Sequence, residues 1–431
     1  MKKVLRIAGL VLAALAISLN LCAQNAKNLL KENPERAAGV YHSYEIPETT
    51  YSQSPKGYEP FYISHYGRHG SRYHTSTGYF SEAIDMLDKA YDKGLLTKEG
   101  KELRDDVLII ENAHKGMSGY LTQKGGKEQQ GLAQRMYERF PEVFNQKKRR
   151  EINCISSTVP RCILSMTYFT NELKGLSPKD DFHFDTGDKY MPMIAHSVDI
   201  GKIQKGNNNY TDSLREAEFN PERLDKLLFK DTEKANKLLD GNTQKFYKSV
   251  YMAGAICQDL DMTPPVDIFR FFNADELFEQ WKLYNIKMYS YNCDTKEYDS
   301  DRSQSAVFLL KDITERADAA VKGNDTAADL RFGHDTGLLP LVNLMKIEGQ
   351  DSVYSIKNVS EHWFGFESIP MASNLQIIFY RNKANSILVK LLYNEKETGI
   401  PALKAYEGRY YKWTDLREYF KKLYSAAIPG K

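Results

Sequence analysis

The chain has 431 residues, 42% hydrophobic and 27% charged, with 59 Lys and Arg against 57 Asp and Glu. That length allows two domains or one domain carrying a large insertion, and the balance is that of an ordinary globular protein. Near-neutrality excludes a global pull toward nucleic acid, so an anionic ligand must be held by a local cluster.

The opening MKKVLRIAGLVLAALAISLNLCAQ has a basic start, an apolar middle and a small-residue exit. It predicts a signal peptide over 1–23, cleaved after Ala23, and hence a periplasmic or secreted protein. Leu21 is bulky where lipidation at Cys22 wants a small residue, so a lipid anchor is the less favoured alternative. Losing Lys2, Lys3 and Arg6 changes the net charge from +2 to −1. No later stretch approaches the roughly 18 uncharged apolar residues of a membrane span. Cys154, Cys162, Cys257 and Cys293 follow the leader; export permits disulfides, but the pairing stays open. Without a CxxC or a tight Cys/His cluster, no metal or cofactor is expected.

Residues 24–58 read as a winding lead-in. Phe61–Tyr66 is a buried strand that ends in a glycine-bearing turn. Helical spacing of Ile84, Leu87 and Tyr91 predicts a helix within 80–97 that stops at Gly94. The Thr122 turn leads into another, with Leu132, Met136 and Phe140 on one face and Pro141 near its end. EINCISST (151–158) is a short strand; 160–173 is a helix with Pro160 in its first turn. The span 174–325 is rich in Lys, Asp, Asn and Leu and reads as a mostly helical insertion. The flanking spans 24–173 and 326–431 form the two parts of an α/β core. In the second part, 329–345 passes from strand through Gly333 into a helix. Segments 374–382 and 385–396 are strands, and 413–428 is a final amphipathic helix capped by Thr414 or Asp415. The fold class is α/β: a mixed central sheet flanked by helices, with an inserted, mostly helical domain.

Polar residues collect just after the predicted strands. Arg68, His69 and Arg72 of YGRHGSR follow the first, Arg161 the second, and His334 and Asp335 a later one. Ligands of open α/β sheets bind outside the carboxyl ends of strands, so these groups can converge. Three arginines offer fixed forks of N–H donors suited to a tetrahedral oxyanion, and glycines let backbone approach it. An unprotonated histidine there can attack phosphorus, and its positive surroundings favour that neutral form. Charge on the transferred phosphoryl group would rest on the arginines and on His334. Asp335 can protonate the leaving oxygen and then activate water, which predicts an acidic rate optimum.

This constellation resembles the histidine acid phosphatase family across most of the mature chain. Arg68-His69-Gly70-Ser71-Arg72 matches the RHGxR hallmark, and His334-Asp335 the distal His-Asp pair. SSTVPRCILSMTYF looks like the segment carrying a third phosphate-binding arginine. GYLTQKG and LLYNEKETGIP…WTDL also look familial. The resemblance implies a mixed α/β domain with a helical insertion. It implies His69 as the phosphorylated nucleophile, with Arg68, Arg72, Arg161 and His334 holding phosphate, Asp335 as proton donor, and no metal. FYISHYGRHGSRYHTS and FGHDTGLLPLV are most similar to the multiple inositol polyphosphate phosphatases, which implies phytate and lower inositol phosphates as substrates. Two positions depart from that subgroup. His74 replaces a usual proline, and His334-Asp335-Thr336 stands where His-Ala-Glu is typical.

Bland readings stand beside these. His334-Asp335 could simply start a helix. His65 and His74 flank the motif as candidate substrate contacts or partners that orient the loop; His65 also reads as a packed strand residue, and His74 as a residue of the loop or pocket rim. His42, His114, His183, His196 and His362 read as structural or surface. Lys124, Lys127, Lys202, Lys205, Lys245 and Lys248 are candidate partners for further phosphates but also ordinary solvated lysines. The competing functions are a broad or sugar-phosphate acid phosphatase and a catalytically silent phosphate-binding scaffold.

Overall fold

An eight-stranded mixed sheet organises the molecule, in the order β3-β2-β4-β1-β5-β6-β7 with β8 pairing to β6. The strands are β1 (Glu59–Arg68), β2 (Glu151–Ser156), β3 (Asp181–Thr186), β4 (Thr326–Gly333), β5 (Asn374–Arg381), β6 (Ile387–Tyr393), β7 (Lys396–Thr398) and β8 (Tyr411–Lys412). The computed structural model describes residues 26–194, 206, 208–214, 219–298 and 302–427. The expected leader with Cys22, and His196, Lys202 and Lys205, lie outside the described residues.

Strand periodicity splits the core into two layers. From β1, β5 and β6, Ile63, Ile378, Tyr380, Leu388 and Leu392 face one side. There they meet Leu132, Met136, Phe169 and Leu173 of two helices, α3 (Gln123–Arg139) and α4 (Pro160–Leu176). Tyr62, Tyr66, Leu375, Ile377, Val389 and Leu391 face the other side and the larger helical cluster. That layer includes α1 (Ser81–Asp92), α2 (Lys98–His114), α5 (Thr243–Cys257), α6 (Ala274–Asn292), α7 (Val307–Val321), α8 (Asp335–Met345) and α9 (Trp413–Ala427). Local signals start several of these helices. The Thr122 hydroxyl accepts the Gly125 N–H at 3.1 Å, Pro160 opens α4, and Asn273 and Glu276 form a capping box at α6.

The mixed sheet with an inserted helical region agrees with the sequence reading. The span 174–325 nevertheless contributes β3, an edge strand paired in parallel with β2, before it turns helical. The DFHFDT run lacks a second buried face, so its strand character depends on that pairing. The final helix begins at Trp413, placing Thr414 and Asp415 in its first turn rather than at its cap. No helix among the described residues is long and apolar enough to cross a membrane. Cys154, Cys162, Cys257 and Cys293 are all buried and free, so no disulfide joins them.

Candidate active site

Three parallel strands end side by side. Arg68 at the end of β1 pairs with Gly333 at the end of β4, and Ser156 at the end of β2 pairs with Phe332. The loops that leave these ends carry Arg68 to Arg72, Ser157 to Arg161, and His334 with Asp335. Residues far apart in sequence are thereby brought together.

His69 is fixed by its backbone: its N–H donates to the Gly333 carbonyl at 3.0 Å, and its own carbonyl accepts from Ala372 N–H at 3.0 Å. Its Nδ1 lies 2.9 Å from the Gly70 carbonyl oxygen. A carbonyl only accepts, so Nδ1 carries the proton and Nε2 keeps its lone pair. Burial, then the charges of Arg161, Arg68 and Arg72, hold the imidazole well below its ordinary pKa and therefore neutral.

The arginines are not equivalent. Arg68 is fully buried and donates to the Val40 and Ile369 carbonyls, both at 2.7 Å, and to Asp335 Oδ2 at 3.2 Å. Much of its fork is therefore already committed. Arg72 donates to the Tyr73 carbonyl at 2.9 Å and lies over the Tyr41 ring, 5.2 Å from its centroid. Arg161 reaches Gly119 O and His334 Nδ1, each at a long 3.4 Å. The Nε of each arginine is buried without a protein partner. Such donors cost free energy, and a bound oxyanion would relieve that cost.

The His334 ring stands 5.6 Å from that of His69 at 74°. Arg161 can only donate, so His334 Nδ1 accepts and Nε2–H points to Ser157 Oγ at 3.0 Å. Burial and then Arg161 push its pKa down to about 4. Asp335 opens α8, and its Oδ1 accepts Thr336 N–H at 2.9 Å. Helix start and site residue thus coincide, with the positive helix end at the anion site. Burial raises the Asp335 pKa, but Arg68, then His334 and Arg72, outweigh it, and the carboxyl is held below its ordinary value. These charges favour the carboxylate form of Asp335.

The loop rests on α3. A Cβ on Gly70 would stand 2.7 Å from Gly125 Cα, so helix and loop touch backbone to backbone. Gln129 donates to the Arg68 carbonyl at 3.0 Å, and Thr122 holds the Ser71 carbonyl through its N–H and its hydroxyl. Tyr66 OH donates to the Ile194 carbonyl at 2.7 Å and accepts His334 N–H at 3.3 Å. Gln129, Ser157 and Tyr66 were not singled out from sequence. Ser157 and Tyr66 fall in the stretches that resemble the family, whereas Gln129 lies beyond GYLTQKG, and nothing local marks a lone Gln, Ser or Tyr as supporting a site.

His74 is no rim residue. It is fully buried, its Nε2 donates to the Met252 carbonyl at 2.8 Å, and Tyr41 and Tyr79 lie against its ring. Its ring packs edge-on at 4.7 Å against Tyr41, the ring over which Arg72 lies. His65 packs against Phe169 and Phe332, with neither ring nitrogen bonded to protein. His42 and His114 are also buried, whereas His183 is exposed on β3. Next to the Tyr41 ring lies a cavity of about 430 Å³ lined by Tyr79, Lys245, Lys248, Met252, Tyr284 and Lys287, among others. Tyr284 of this cavity stacks on Tyr41 at 5.7 Å, whereas Arg161 lines a different opening of about 260 Å³ with Thr75, Gly119 and Tyr120. Lys245 pairs with Glu82 at 2.7 Å, Lys124 donates to the Gln258 carbonyl at 2.6 Å, and Lys127 is exposed. Among the described residues, no three His, Cys, Asp or Glu side chains are grouped to hold a metal ion.

Comparison with known proteins places the fold and the family. The chain is 25% identical to human multiple inositol polyphosphate phosphatase 1 over 313 residues, 65% of this chain and 62% of the human one. It thus spans less than two thirds of that relative. The Bifidobacterium longum multiple inositol polyphosphate phosphatase shares the fold at a TM-score of 0.71 and 20% identity, over 89% of this chain and 97% of that one. The D. castellii phytase does so at 0.67 and 15%, over 92% and 88%. Residues 67–394 match the model of the histidine phosphatase superfamily (branch 2), and the chain belongs to that family.

Proposed function

We propose that this protein is an exported phosphomonoesterase that hydrolyses inositol hexakisphosphate and lower inositol phosphates through a phosphohistidine. The observation that carries the reading is the His69 tautomer. A neutral imidazole presents an Nε2 lone pair among three arginines whose buried Nε–H groups lack protein partners. His69 Nε2 attacks phosphorus in line as the P–O bond to the leaving alkoxide breaks. Arg68, Arg72, Arg161 and His334 carry the charge of the transferring group. A phosphate between Arg161 and His334 would replace their long mutual contact, accepting from Arg161 directly and from His334 Nδ1 once the anion draws a proton onto that nitrogen.

Asp335 delivers the leaving-group proton, then takes one from the water that opens the phosphohistidine. The arginines favour its ionised form, so the proton arrives with a monoanionic phosphate or is taken up as the anion offsets Arg68 and Arg72. Either route favours mildly acidic pH. The neighbouring lysine-bearing cavity supports a substrate with several phosphates, as does the likeness to inositol polyphosphate phosphatases.

A phosphate-release time course on inositol hexakisphosphate, with separation of partially dephosphorylated products, tests the substrate. Release from glucose-1-phosphate but not from the inositol ester would leave a sugar-phosphate phosphatase. No release from any ester would leave a binding protein. Rapid alkaline quench should trap phosphate on His69, and His69→Ala should abolish both label and turnover while keeping anion binding. Label on serine alone would refute the mechanism.

A further inference from the structure

Ser71 sits between His69 and Arg72, and two carboxylates share its side chain. Its N–H donates to Glu128 Oε2 at 2.7 Å. Its Oγ lies 2.8 Å from Glu128 Oε1 and also 2.8 Å from Asp259 Oδ1. A serine hydroxyl has one proton, so it can donate to only one of them. Were both carboxylates ionised, one oxygen anion would face a lone pair at hydrogen-bond distance.

Donor placement says which carboxylate holds the extra proton. Glu128 is partly buried and also accepts the Tyr44 N–H at 3.0 Å, so two backbone donors favour its charged form. Asp259 is fully buried, receives only the Ser43 hydroxyl at 2.9 Å besides Ser71, and its Oδ2 has no protein partner. A proton on Asp259 Oδ1 would donate to Ser71 Oγ, whose own proton then goes to Glu128. Every short contact is satisfied in that arrangement.

We propose that Glu128 and Asp259 are positioning residues that hold one proton between them through Ser71, and that this proton fixes the loop bearing His69 and Arg72. The proposal rests on the phosphatase reading above. Lys124 of α3 is the cation facing the pair, and its Nζ is tied to the Gln258 carbonyl. Asp261 accepts the Lys124 N–H at 3.0 Å, and His42 binds Gln258 on one side and Glu45 on the other. Burial, then the charge of Glu128, pushes Asp259 up to about 7. Above that pH two anions compete for one hydroxyl proton, and the loop loses a clamp next to its nucleophile. The enzyme therefore has an alkaline limb that does not originate in Asp335.

The test is the pH profile of kcat/KM with p-nitrophenyl phosphate: its leaving group needs no proton, and kcat/KM excludes the later water-activating step, so both roles of Asp335 are muted. In Asp259→Asn an amide N–H takes the place of the shared proton and cannot be lost. The variant should keep kcat/KM within about threefold at about pH 5, and its alkaline midpoint should rise by about one pH unit or more. An unchanged midpoint in an active variant overturns the proposal, as does a uniform loss at every pH. Both outcomes leave the phosphatase reading standing, because that reading fails only if the unmodified chain releases no phosphate. Should Asp259→Asn not fold, Ser71→Ala reads the same linkage. Without the bridging hydroxyl, kcat should fall with KM little changed, and the midpoint should move. A midpoint constant within about 0.2 pH unit overturns the proposal.

Discussion

Gly70→Ala probes how His69, the proposed nucleophile, is located. The added Cβ would stand 2.7 Å from Gly125 Cα and 2.8 Å from its carbonyl carbon, and closer still to the carbonyl oxygen. These are backbone atoms in the first turn of α3 and cannot rotate away. Carbon contacts are comfortable from about 3.5 Å, so loop and helix must part by about 0.8 Å. The helix side is pinned by the Thr122 cap and by Gln129, and the shift falls on the loop beside His69. A misplacement of about 1 Å costs on the order of 100-fold in rate. We expect kcat for p-nitrophenyl phosphate to fall by about that factor, with about 1–3 kcal/mol of lost stability from overpacking. Gly125→Ala should reproduce the defect from the other side, because its Cβ would meet Ser71 N at 2.7 Å. Gly175→Ala is the control: nothing lies within 4 Å of its Cβ. In that last helical turn it should leave kcat unchanged and gain up to about 1 kcal/mol. A folded Gly70→Ala enzyme with kcat within about threefold of the parent would refute this account of loop placement.

Asp335→Asn should lower kcat/KM, which reports phosphoryl transfer and not the later opening of the phosphohistidine, by about 10²–10⁴-fold on alkyl phosphates but far less on p-nitrophenyl phosphate, which leaves unprotonated. Equal losses on both substrates would remove Asp335 as proton donor. Replacing Lys245 and Lys287 together by Ala should raise KM for inositol hexakisphosphate by about tenfold, equivalent to about 1.4 kcal/mol, while KM for p-nitrophenyl phosphate stays put; parallel changes would count against the lysine-lined cavity as a subsite. His65 bears on acid stability. Burial, then Arg331, pushes its pKa down to about 3, whereas an unfolded chain takes that proton near 6.5. Between these values the unfolded chain binds a proton the folded one excludes, so stability falls as pH drops, by up to about 1.4 kcal/mol per pH unit. His65→Leu should therefore raise Tm more at about pH 4.5 than at about pH 7.5. An equal effect at both pH values would show that His65 does not titrate on unfolding.

The sequence by itself determined most of the elements and put the candidate site residues just past the strand ends. Apolar runs at period 2 and amphipathic runs at period 3.6 report burial directly, so β1, β2, α3, α4 and α8 were readable from their own residues. RHGSR, Arg161 and His334-Asp335 were readable because few other roles want those residue types just past a strand. Only the tertiary structure decided how these groups meet. Strand order β2-β4-β1 brings three loops from distant parts of the chain to one edge, and pairing to β2 makes a strand of the weakly patterned 181–186 segment. Burial of His74 behind Tyr41, commitment of the Arg68 fork to two carbonyls, and the sharing of Ser71 by Glu128 and Asp259 are contacts between residues up to about 300 positions apart. No local pattern encodes such contacts, because the energy of a buried charge or an unpaired donor depends on what the fold places opposite it.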